Sequence, residues 1–206
     1  MELFIVEGVS AESAVKSVVR KDRQQTFSVQ GKIPNVLRKG QSAILNNPHT
    51  KALFERVSKA HGPTHERSVP MPVDAFGDTD TSDAYIILCD ADVDGAHAST
   101  LLILFFCRML PDVVRDGRVS VVRPPLYSFS AADRDSLTFA YSERDFQQSR
   151  HLERQFGRSL TNIKRYKGIA SLDPSILFKC CVDPLTRRLH QIKLCDGEHL
   201  ARTFGS

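Results

Sequence analysis

Two stretches of the chain run apolar without a break and then turn abruptly acidic. LFIV, residues 3–6, ends on Glu7 and Gly8, and YIILC, residues 85–89, ends in DADVDG, residues 90–95. Short apolar runs bounded by polar, Gly-containing turns read as buried strands. The first is followed by SAESAVKSVVRK, a helix for which Ser10 is the expected N-cap. The second leads into a nearly all-apolar helix from about Ala98 to Met109, and a helix with so little polar face is expected between layers.

The remaining pattern completes an α/β order. Residues 26–39 read as a short strand, a loop at Gly31 and Lys32, and a basic exit. Residues 46–83 contain Pro48, Gly62, Pro63, Pro70, Pro72 and Gly77, and read as a helix over 48–60 followed by an irregular insertion. Pro111 to Asp116 adds a helical turn or two, stopped by Gly117. RVSVV and LYSF are strands parted by Pro124-Pro125, which cannot donate to a ladder. LTFAYS is a strand, ERDFQQSRHLERQFG a polar amphipathic helix, Asp173-Pro174 an N-cap and N1 pair, and RRLHQIKL a strand. EHLARTFGS reads as a helix cut short by the chain's end, so a truncated C-terminal segment is expected. Strand–helix alternation over the first 125 residues predicts an open, mostly parallel sheet flanked by helices, here residues 1–130, with a smaller α+β extension over 131–206.

Composition narrows the class without deciding it. Of 206 residues, 41% are hydrophobic and 25% charged, as in an ordinary globular protein. The net charge of +4 permits a nucleic-acid partner but does not argue for one. The five cysteines form no CxxC pair, and most lie in apolar runs, which predicts small core residues in a reducing compartment. MELFIVEG lacks the basic region of a signal peptide, and the run Leu101 to Cys107 is too short to cross a bilayer, so a cytoplasmic protein with no membrane partner is expected. His61 and His65 are four apart, but Gly62-Pro63 intervenes, and both read as loop histidines.

The carboxylates carry the chemistry. Asp90, Asp92 and Asp94 repel one another when ionised, and a cation would offset that cost. A calcium EF-hand is excluded: its twelfth position, counted from Asp90, is Leu101, and the residues before Asp90 read as a strand. Glu7 and the aspartates both sit at the carboxyl ends of apolar strands, the ligand-binding edge of an open α/β sheet. If those strands are neighbours, four carboxylates face one another. Hard oxygen donors with room for water and phosphate suit magnesium, with manganese as a substitute, and Glu7 is then placed as a general acid or base. A lone Asp-Gly turn would be read as a solvated turn; three alternating carboxylates and a fourth in matching context are not. By contrast, Lys16, Arg20, Lys21 and Arg23 read as a solvated helix face.

Six segments in order carry a resemblance: VEG and SA at 6–11, GKIPNV at 31–36, DADVDGAH at 90–97, PPLY at 124–127, KRYKG at 164–168 and VDPLTRRL at 182–189. Together they resemble the Toprim region and C-terminal segment of type IIA DNA topoisomerase B subunits, the gyrase B and topoisomerase IV B family. The resemblance implies a Toprim-type fold and magnesium held by Glu7, Asp90 and Asp92, with Asp94 as an auxiliary ligand and Glu7 as the general acid/base. It implies double-stranded DNA against Gly31, Lys32, Asn35, Arg165, Lys167 and Gly168, and an A-type partner subunit carrying the nucleophilic tyrosine. A nucleoid-associated location follows. No ATP site is expected in this chain, so that it would act only as part of a holoenzyme.

The sequence also departs from that family. EGDSAGG is EGVSAES here, with Val9, Glu12 and Ser13; GKILNV is GKIPNV, with Pro34; YKGLGEM is YKGIASL, with Ala170 and Ser171. Two other expectations therefore stand beside the first: a Toprim metal-dependent nuclease, and a silent paralogue serving as a scaffold on DNA or on an A subunit.

Overall fold

The computed structural model describes residues 1–31, 33–61, 84–132 and 136–204. In chain order the strands are β1 (Glu2–Glu7), β2 (Gln24–Val29), β3 (Ala84–Leu88), β4 (Val119–Val122), β5 (Tyr127–Ala131), β6 (Thr138–Ala140), β7 (Leu160–Arg165) and β8 (Leu189–Gln191). The helices are α1 (Val9–Val18), α2 (Gln41–Leu45), α3 (Pro48–His61), α4 (Val93–Met109), α5 (Pro111–Arg115), α6 (Glu143–Gln155), α7 (Pro174–Leu177) and α8 (Leu194–Phe204).

The main sheet has the order β2-β1-β3-β4-β8; its first four strands are parallel and β8 is antiparallel to β4. The apolar runs are explained by burial on both faces. Leu3 and Ile5 of β1, with Tyr85 and Ile87 of β3, point into a core shared with α3, α4 and α5. Phe4 and Val6, with Ile86 and Leu88, point into the opposite core, which is closed by α1, α7 and residues 169–182. Pro124-Pro125 marks a change of sheet: β4 stays in the main sheet, while β5 enters a second, antiparallel sheet of order β6-β5-β7. That sheet has its own small core of Tyr127, Phe129, Ala140 and Phe146. No helix among the described residues is long and apolar enough to cross a membrane.

Three expected details differ. The helix expected from Ser10 starts at Val9, because Gly8 (φ 83°) turns the chain straight out of β1 and its carbonyl accepts from the Glu12 amide at 3.1 Å. The helix expected near Ala98 begins five residues earlier at Val93, because Asp92 caps it: Oδ1 accepts from the Gly95 amide at 2.8 Å. His61 is the last residue of α3 and not part of a loop. Lys32, His65 and the insertion over 62–83 lie outside the described residues.

Candidate functional site

Parallel pairing of β1 with β3 puts Val6 opposite Leu88. Glu7, the last residue of β1, therefore comes level with Cys89, one residue before Asp90, and the two acidic strand ends are neighbours. Partial burial pushes the Glu7 carboxyl up first; the charges of Asp90, Asp92 and Asp94 push it further, and His97 pulls the other way. Asp90 is also pushed up, chiefly by burial and then by Asp92, against the lowering effect of the Ile169 amide. This edge of the sheet thus gathers carboxylates that hold their protons more tightly than usual.

Two contacts hold Asp90 in place. Its Oδ1 accepts from the Ile169 backbone N–H at 2.7 Å, so the turn after the KRYKG segment closes directly onto it. Gly168 lies so close that a Cβ there would stand 2.6 Å from Asp90 Oδ2. Its φ of −171° suits any residue, so a side chain there would press on the Asp90 carboxylate without straining the backbone. Ser171 fixes the same turn, accepting from the Gly168 amide at 3.3 Å and donating to its carbonyl at 2.6 Å. On the other side, a Cβ on Gly95 would stand 2.2 Å from the Asp90 carbonyl oxygen, so α4 starts directly against the Asp90 backbone. The sequence pattern of DADVDG points to its carboxylates but gives no sign of the parts played by Gly95 and the Ile169 amide, which determine where Asp90 stands.

The other expected residues are placed as follows. Asp92 is exposed and caps α4, and Asp94 is exposed in its first turn. Among the described residues no three carboxylate, imidazole or thiol groups enclose an ion-sized site, and Asp90 and Asp92 each turn one oxygen to a backbone amide. Gly31 is exposed with φ 71°. Asn35 makes a local turn, its side-chain oxygen accepting from the Leu37 amide at 2.9 Å. Arg165 and Lys167 are exposed on either side of buried Tyr166, whose hydroxyl meets Ser128 Oγ at 2.8 Å. A cavity of about 620 Å³ opens beside Asp90 and Asp92 and extends past Ser99 to Arg123, His190 and His199. All five cysteines are free thiols; Cys89, Cys180 and Cys181 are buried, but Cys195 is exposed, unlike the core residues the sequence led one to expect.

The Toprim domain family matches residues 2–124, from the first strand through the change of sheet. The chain belongs to the Toprim family. It is 30% identical over 203 residues to the B subunit of DNA gyrase from Thermotoga maritima and 32% identical over 207 residues to that from Archaeoglobus fulgidus, each alignment covering 98% of this chain. The B subunit of DNA topoisomerase 4 from Streptococcus pneumoniae is 30% identical over 203 residues, again covering 98% of the chain. The chain spans about 30% of the length of these curated relatives.

The departures noted in this Toprim sequence leave Glu7, Asp90, Asp92 and Asp94 in the chain. Val9 is 59% exposed at the start of α1, and Glu12 accepts from the Thr26 hydroxyl at 3.3 Å. Ala170 is exposed, and Ser171 braces the Gly168 turn. The charge on this edge has a measurable consequence. Because Glu7 and Asp90 hold their protons to higher pH in the folded chain than in the unfolded one, the folded state binds more protons between the two sets of values, and stability falls as pH rises through them. Thermal melts in a chelator should therefore show the natural chain losing stability above about pH 4. Asp90→Asn, which keeps an acceptor for the Ile169 amide, should flatten that fall.

Proposed function

We propose that this chain is the magnesium-bearing cleavage–religation module of a type IIA topoisomerase B subunit, acting on double-stranded DNA in trans to a tyrosine of an A-type subunit. One observation carries the reading: Glu7 and Asp90 leave neighbouring parallel strands together, and the turn after KRYKG closes onto Asp90. The KRYKG segment thus joins the acidic edge through its backbone, and the reading takes Arg165 and Lys167 to serve the same site. The donor set fits magnesium, which needs one or two carboxylates and keeps several waters, so no enclosed cage is required. Asp90 and Asp92 would hold the ion through their remaining oxygens, with Asp94 in support. When bound, the ion stabilises charge on the attacking and leaving oxygens of a phosphodiester.

The protein's own groups do the rest. Glu7, with a carboxyl raised by its surroundings, exchanges a proton with the departing or returning oxygen. Arg165 and Lys167 neutralise phosphates and position the duplex without reading its sequence. Lys32, from the GKIPNV segment, is assigned to the same task.

One observation favours a second reading, the silent scaffold: Asp90 and Asp92 each already accept from a backbone amide. Magnesium-dependent thermal stabilisation separates the two. Under the first reading millimolar magnesium raises the melting temperature of the natural chain, and Asp90→Asn loses that rise. An equal response in both would remove Asp90 from the metal site and favour the scaffold.

A further inference from the structure

KRYK places three cations within four residues, and the fold treats each differently. Lys164 is paired, its Nζ lying 3.0 Å from Asp173 Oδ2. Lys167 projects from the turn with its side chain exposed. Arg165 stands over an aromatic ring, with its guanidinium carbon 5.8 Å from the centroid of Tyr127.

That ring is held on several sides. Tyr127 is 7% exposed and stacks on Phe146 with centroids 4.2 Å apart and planes 13° apart; Phe129 meets Phe146 edge-on at 5.5 Å. Its hydroxyl donates to Glu143 Oε2 at 2.6 Å, and Glu143 Oε1 accepts from Gln147 at 2.9 Å. Tyr127 and Arg165 are direct partners on the antiparallel strands β5 and β7, so their side chains leave the sheet on the same face. The PPLY and KRYKG segments, distant in sequence, meet at this pair.

We infer that Tyr127 is a positioning residue: its locked ring holds the Arg165 guanidinium over its face and pre-orients it for a DNA phosphate. The inference rests on the DNA-binding reading above and gives the PPLY tyrosine a task in it. A planar guanidinium stacked on an aromatic face keeps its edge donors free for phosphate, and one held in place loses little freedom on binding. A lysine cannot stack in this way, so charge alone does not replace Arg165.

The test is duplex DNA binding by the chain, followed by fluorescence anisotropy across a salt series, with circular dichroism to confirm folding. Arg165→Ala should weaken binding and reduce the salt slope by about 1, as expected for one lost phosphate contact. Tyr127→Leu should weaken binding about two- to tenfold, the cost of immobilising one long side chain, and should add nothing in the Arg165→Ala background. Tyr127→Phe keeps the ring and should bind like the natural chain.

Arg165→Lys changes only an exposed side chain and therefore tests the idea even if Tyr127→Leu fails to fold. It should bind as weakly as Tyr127→Leu. Natural affinity in Arg165→Lys, or a Tyr127→Leu loss that adds fully to Arg165→Ala, would overturn the positioning role while leaving DNA binding intact. A natural chain that does not bind duplex DNA would overturn both readings.

Discussion

Arg187→Ala should destabilise the chain by about 3–5 kcal/mol, because it leaves a buried carboxylate without its cation. Arg187 and Glu2 are 185 residues apart in sequence, yet their side chains are 1% and 8% exposed and form a two-pronged pair. Arg187 Nη1 donates to Glu2 Oε2 at 2.8 Å and to the Val182 carbonyl at 2.9 Å. Gln24 completes the cluster, donating to Glu2 Oε2 at 2.8 Å and to the same carbonyl at 3.1 Å. The VDPLTRRL segment thereby fastens to the start of β1, at the opposite end of the sheet from the acidic edge. In a thermal melt the loss should lower the midpoint by on the order of 10 °C. The paired change Glu2→Leu with Arg187→Met should recover much of it, since replacing a buried ion pair by packed apolar groups is often neutral. A loss in Arg187→Ala no larger than that of a surface substitution would show that the pair is solvated.

The second large effect is on chemistry. Glu7→Gln removes the group proposed to exchange the proton and should slow DNA cleavage by about 10²–10⁴-fold. Asp90 and Asp92 remain, so most magnesium-dependent stabilisation should survive. Asp92→Asn should lose cleavage for a different reason, through a weakened metal site, while its amide oxygen still caps α4 by accepting from Gly95. Separating the two variants by metal response distinguishes proton exchange from metal holding. Equal loss of metal response in Glu7→Gln would make Glu7 a ligand first.

The sheet was legible because β1 and β3 are buried on both faces, so apolar runs had to appear in the sequence. The candidate carboxylates stood out for a related reason: acidic residues at the ends of such runs fall on the same sheet edge once the strands pair. What escaped was long-range or exposed. β7 is mostly exposed and shows no apolar alternation, so NIKR gives no strand signal, although it pairs with β5. The start of α4 was hidden because Asp92, Asp94 and Gly95 have the composition of a turn, and only the cap geometry reveals the helix. The Ile169 contact with Asp90 spans 79 residues, and no local pattern reports it. The same holds for Glu2 and Arg187. VDPLTRRL stood out as a segment, but its buried arginine could be understood only once its partner was in place.

The most direct test of the proposed role is trapping of a covalent protein–DNA intermediate by denaturation with SDS. The assay combines the chain, an A-type subunit, supercoiled plasmid and magnesium or manganese, with Glu7→Gln and Asp92→Asn alongside. The expected result is nicked or linear plasmid covalently attached to the A-type subunit with the natural chain, and none above background with either variant. Nicking without a covalent adduct would contradict the topoisomerase role in favour of a nuclease. No cleavage, with binding to DNA and to the partner demonstrated, would contradict catalysis by this chain and leave it a scaffold.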